Sequence, residues 1–80
     1  MEDKTVLEWI NELAKEEHEL FALEAKDGAS QEEIERLKLV TVTLDRCWDL
    51  LRQRRARRAA GLNPDDARVR DERTVEGYLN

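Results

Sequence analysis

Eighty residues make one domain at most, and a chain this short buries too little surface for a lone core to be more than marginally stable. One cysteine (Cys47) and one histidine (His18) exclude an intrachain disulfide and a Cys/His zinc site, which leaves self-association as the remaining brace for a small scaffold. The charged fraction is 41% and the formal net charge -5, a balance that does not suit a general DNA binder, and no stretch approaches the roughly 20 apolar residues of a membrane span.

The charge is unevenly placed. Residues 1–40 carry 12 acids and 5 bases, whereas residues 41–80 carry 7 acids and 9 bases. That asymmetry favours antiparallel contact between the halves, or between subunits. The opening Met1-Glu2-Asp3-Lys4-Thr5-Val6 is acidic and polar, unlike a signal peptide, and with a lone free cysteine it points to the cytoplasm.

The first helix is predicted over about 5–26. Thr5-Val6-Leu7-Glu8 reads as a capping box, with Asp3 as a rival cap. Val6, Ile10, Leu13, Glu17 and Leu20 recur at three- and four-residue spacing, and Leu7, Ala14 and Phe21 widen the stripe. Asp27-Gly28 supplies a residue that tolerates the left-handed conformation where the helix stops.

The second helix is predicted over about 31–60. Ser30-Gln31-Glu32-Glu33 is a capping box with acids in the first turn, and the end is marked by Gly61 and Pro64. Its stripe is Ile34, Leu37, Thr41, Leu44, Trp48 and Leu51, flanked by Val40 and Cys47. The β-branched run Val40-Thr41-Val42-Thr43 would suit a strand, but the helical period runs through it on both sides. Two helices joined by so short a loop must lie antiparallel. Folding at residues 28–29 sets Leu20 near Leu37, Leu13 near Leu44, Ile10 near Cys47 and Trp9 near Trp48. Residues 1–61 thus form an all-α, two-helix hairpin. Residues 62–80 form a polar tail, partly disordered or strapped onto the hairpin or a partner, in which Asn63 caps a short helix begun by Pro64.

Helix two carries more apolar surface than one neighbour can cover. Leu39, Val42 and Leu50 lie off the intrachain stripe, and a contiguous second patch calls for a partner. A homodimer in which two hairpins form a four-helix bundle is the simplest answer; a monomer whose tail covers the patch is the alternative. Core residues are then Val6, Ile10, Leu13, Leu20, Leu37, Leu44, Trp48 and Leu51.

Three groups invite a chemical reading. Arg52, Arg54, Arg55, Arg57 and Arg58 cluster at the end of helix two, where arginine forks suit phosphate oxygens. Pairing with acids, including Asp3 and Glu8 of the same chain or Glu16, Glu17 and Glu19 of another subunit, accounts for them better, since no aromatic residues interleave for base stacking. Glu17 falls on the apolar stripe, where a charge needs a partner, expected near Val40 and Thr41 on helix two. The residue three before His18 is Lys15, so the Glu-x-x-His motif of carboxylate-bridged metal bundles is absent, although a site built by symmetry from Glu17 and His18 of several subunits is conceivable; His18 reads as a solvated or interfacial side chain. Cys47 reads as a buried structural thiol. No phosphate loop, catalytic triad or metal-ligand spacing occurs, so no cofactor and no enzymatic activity are expected.

Taken as a string, Glu16-Glu17-His18, then Leu44-Asp45-Arg46-Cys47-Trp48-Asp49-Leu50-Leu51-Arg52-Gln53-Arg54-Arg55-Ala56-Arg57-Arg58, then Asp65-Asp66-Ala67-Arg68-Val69-Arg70 with Val75-Glu76-Gly77-Tyr78-Leu79 resembles a family of short actinobacterial proteins known only as a domain of unknown function. The resemblance covers nearly the whole chain. It implies a cytoplasmic bacterial protein and brings no activity, cofactor or partner. The function expected is that of a non-enzymatic helical interaction or scaffold protein, self-associating through Leu39, Val42 and Leu50 and recognising partners through the arginine end and Tyr78-Leu79. The alternative is a small nucleic-acid-associated regulator using the five clustered arginines, and a third possibility is an oligomeric metal or redox protein using Glu17, His18 or Cys47.

Overall fold

A computed structural model describes residues 2–70. Helix α1 spans Asp3–Ala25 and helix α2 spans Gln31–Ala59, followed by a single 3-10 turn at Pro64–Asp66; there is no strand among the described residues. The two helices fold back on each other as an antiparallel hairpin, and the β-branched run 40–43 is helical throughout. Within that run the Thr43 hydroxyl donates to the Leu39 carbonyl at 2.7 Å, which satisfies a polar side chain without leaving the helix.

The first helix starts two residues earlier than its sequence suggests. Glu2 is the cap residue and gives no side-chain cap, while the Thr5 N–H donates to the Glu2 carbonyl at 3.1 Å. The Thr5–Glu8 capping box therefore does not form. Asp3, read as a rival cap, lies instead in the first turn, and its carboxylate accepts from Arg54 and Arg58 of α2 at 2.7 and 3.0 Å. A long-range, charge-assisted contact has displaced a local one. By contrast, Ser30 and Glu33 make the full reciprocal box, at 3.1 and 3.0 Å.

Both helices end in the same way. Gly28 N–H donates to Leu23 O and Asp27 N–H to Glu24 O, each at 2.9 Å; at the other end Leu62 N–H donates to Arg57 O at 2.8 Å and Gly61 N–H to Arg58 O at 3.1 Å. The left-handed residue is Gly61 in the second case and Asp27, not Gly28, in the first, with φ of 75° and 57°.

The core is one seam in two clusters. Val6, Ile10, Leu44, Cys47, Leu50 and Leu51 form the lower one, Leu20, Leu37 and Val40 the upper, and Leu13 packs against both. Two expectations change here. Trp48, expected in the core, is 44% exposed, and Leu50, expected to face a second subunit, is 2% exposed. A rotated seam accounts for the first and contributes to the second. The buried line of α2 runs Leu37, Val40, Leu44, Cys47, Leu51 and Arg54, so the seam passes through Val40 and Cys47 rather than Thr41 and Trp48. Leu37, Leu44 and Leu51 belong to both lines, so at 3.6 residues per turn the face turns by roughly 60°, which moves Trp48 away from α1, while Leu50 is enclosed with the help of Val69 from the segment after α2. Thr41 then sits beside the seam, and its hydroxyl donates to the Glu17 carboxylate at 3.1 Å, giving that stripe-facing charge the partner it needs. A second bridge between the helices joins Arg36 to Glu16, Nη2 to Oε1 at 2.9 Å, and those hydrogen bonds hold the Glu16 carboxyl below its usual range.

Candidate interaction surface

The polar chemistry of the molecule gathers at the end of α2. The same rotation brings Arg54 to the seam's lower end, where it is 4% exposed. Its Nε donates to Asp3 at 2.7 Å and its Nη1 to Asp65 at 2.9 Å, so one guanidinium ties the start of α1, the end of α2 and the 3-10 turn together. A planar fork with donors on two edges suits that role. Asp3 is held below the ordinary aspartate range by hydrogen bonds from Arg58 and then Arg54; Asp65 is held down chiefly by Arg54. Arg57 donates to the Asn63 carbonyl at 2.7 Å and pairs with Asp66 at 3.5 Å. Arg52 and Arg55 are exposed. Thus Arg54, Arg57 and Arg58 engage acids of this same chain.

Beyond the turn, residues 62–70 lie along α2 as a strap. Asn63 caps the 3-10 turn through its side chain, which accepts from Asp65 N–H at 3.0 Å, with Pro64 in the first turn as its sequence suggests. Gln53 then donates to the Arg68 carbonyl at 2.6 Å and to Asp49 at 2.9 Å, and Arg70 pairs with Asp49 at 3.1 Å. Asp49 is 1% exposed. Ala67 packs against the lower core cluster, and Val69 lines one cleft with Leu50. The tail, strapped rather than free over these residues, is what closes the lower part of α2's second apolar stripe. Tyr78 and Leu79 lie outside the described residues.

The upper part of that stripe stays open. Leu39 is 56% exposed, Val42 is half-buried, and the two form a shallow groove with Lys38 and Arg46. Next to it, a cleft of about 250 Å³ is floored by Cys47 and Leu50 and walled by Trp9, Leu13 and Val69. Burial pushes the Cys47 thiol up, the opposite of what a nucleophile needs. His18 is exposed. Among the described residues no three His, Cys, Asp or Glu side chains are grouped to hold a metal ion, and no helix is long and apolar enough to cross a membrane.

A family model described as protein of unknown function (DUF2630) matches residues 2–80. The chain belongs to this family. Uncharacterized protein Rv0898c of Mycobacterium tuberculosis is 46% identical over 77 residues, covering 95% of this chain and 88% of that protein. Uncharacterized protein Mb0922c of Mycobacterium bovis matches to the same extent. No solved structure matches. The actinobacterial resemblance read from the sequence is borne out, and the relatives' names carry no activity or ligand.

In this DUF2630 chain, sequence reasoning missed Asp49, Gln53 and Arg70 as a group. Asp49 and Gln53 stand four apart on one helix face, a spacing at which side chains meet, and that is the signal that was there to be used. Asp3 and Arg54 are 51 positions apart in the chain, and no local pattern pairs them.

Proposed function

We propose that this protein is a non-enzymatic helical interaction module that pairs with a second copy of itself through the open part of α2 around Leu39 and Val42. One observation carries the reading: a leucine 56% exposed, beside a valine and flanked by Lys38 and Arg46, has no described element of its own chain over it. The size argument supports it. A two-helix seam with nine buried apolar side chains is a small core, and chains of this length commonly gain stability from a second subunit. Charge also supports it, because the basic rim of the groove complements the acid-rich first half of another copy. The arginine cluster supports nucleic-acid binding poorly, since Arg54, Arg57 and Arg58 are engaged by Asp65, Asp3 and Asp66.

Sedimentation equilibrium at micromolar concentration tests the proposal. Twice the 9.4 kDa chain mass is expected, with Leu39→Asp returning a single-chain species of unchanged helical content. A 9.4 kDa species that persists at high concentration would overturn it.

A further inference from the structure

The apolar face of α2 has an open half, at Leu39 and Val42, and a covered half at Leu50, with the seam residue Cys47 at its edge. Positions 39, 42, 46 and 50 follow at three- and four-residue spacing, so the two halves belong to one stripe. What covers the lower half is the strap, and the strap is held by polar contacts at every step: Arg57 to Asn63, Arg54 to Asp65, Gln53 to Arg68, and Arg70 to Asp49. Its apolar contribution is small. Ala67 packs against the core, but Leu62 and Val69 remain more than half exposed.

Two buried polar atoms on this part of α2 are left without hydrogen bonds among the described residues. They are Asp49 Oδ1 and Arg46 Nε. A buried donor or acceptor without a partner carries its desolvation penalty uncompensated. Arg46 lines both the open groove and the covered cleft, and Asp49 is the strap's last anchor. Lifting the strap would return the Asp49 carboxylate to water and uncover an apolar floor. The closed position is therefore an ion-paired latch set against an unfavourable burial term.

We propose that residues 62–70 are a releasable cover, and that its opening joins the Cys47–Leu50 floor to the Leu39–Val42 patch, giving one long apolar strip on which a second copy of this chain docks. The inference rests on the pairing reading above and adds its regulation. The strap sets how much of α2 a partner can bury, and hence how tightly it binds.

The test uses the full chain with Arg70→Ala. Without that guanidinium, a closed strap would bury the Asp49 carboxylate against Gln53 alone, so the open state is favoured. Arg70 stands outside both helices, and unchanged far-ultraviolet circular dichroism checks that the hairpin remains. Asp65→Asn combined with Asp66→Asn loosens the strap from its other end. Two readouts are taken: modification of Cys47, the single thiol, by an aromatic disulfide at dilution where the chain is unpaired, and the dimer dissociation constant by sedimentation. Both variants are expected to expose Cys47 at least tenfold faster and to pair at least tenfold more tightly, with Arg70→Lys returning both readouts toward wild type. Thiol exposure without tighter pairing overturns the docking strip, and an unchanged thiol rate in both variants overturns the latch. A wild-type chain that never pairs, with variants that open yet never pair, overturns the self-association reading itself, an outcome distinct from either.

Discussion

Leu50→Ala separates the two ways of placing helix two. If the seam ran through Thr41 and Trp48, Leu50 would face outward and its truncation would barely affect the fold. In the structure Leu50 is 2% exposed, clustered with Val6, Cys47 and Leu51, and it lines one cleft with Val69 of the strap. Removing a buried leucine's outer carbons costs their transfer free energy plus the cavity left behind, about 2–5 kcal/mol. The strap can settle into part of that cavity, which places the expected loss near the middle of the range, about 3 kcal/mol. For a chain of this size that is a large share of a total stability of roughly 4–12 kcal/mol. The melting temperature should fall by on the order of 12–24 °C. Leu39→Ala is the control, since a residue 56% exposed loses little by truncation, roughly 0.5 kcal/mol or less. Urea unfolding followed by circular dichroism, at one fixed protein concentration because pairing couples to stability, gives both values. A Leu50→Ala loss below about 0.5 kcal/mol, or equal losses at both positions, would refute the rotated seam.

Asp27→Gly should stabilise the hairpin by about 0.5–1 kcal/mol, because Asp27 holds a φ of 57° that glycine adopts without a Cβ penalty. Gly28→Ala should be close to neutral, since an added Cβ would stand 3.6 Å from the Leu23 carbonyl; a large loss there, or none gained at Asp27, would count against this turn geometry. Acid should weaken the fold through Asp3 and Asp65. Their folded pKa values lie below the ordinary 3.8, so over that interval the unfolded chain binds more protons. Their contribution is complete above about pH 4 and is lost as pH falls through the folded values. Asp3→Asn should flatten the acid limb of a urea-midpoint profile, and an unchanged slope would show that the Arg54 and Arg58 contacts do not form in solution.

The helices, the loop and the C-terminal cap were legible because each rests on a contact between near neighbours in the chain. Ser30 and Glu33 are three residues apart, Asn63 and Asp65 two, and the hairpin itself follows from two amphipathic periods separated by a short turn. Even the partner of Glu17 was within reach, because antiparallel pairing carries residue 17 to the neighbourhood of residue 41. Which line of α2 faces α1 was not legible. Thr41–Trp48 and Val40–Cys47 are adjacent lines on a helix whose apolar residues spread over more than one face, and periodicity alone scores them nearly alike. Tertiary contacts decide between them: Glu17 takes the Thr41 hydroxyl, Asp3 and Asp65 take Arg54, and the strap closes over Leu50. Sequence alone determined that there would be two helices and where they turn. Only the packed chain determined their rotation, and with it which leucine is core and which is surface, because the side chains that meet α2 come from residues far away in sequence, on α1 and on the strap.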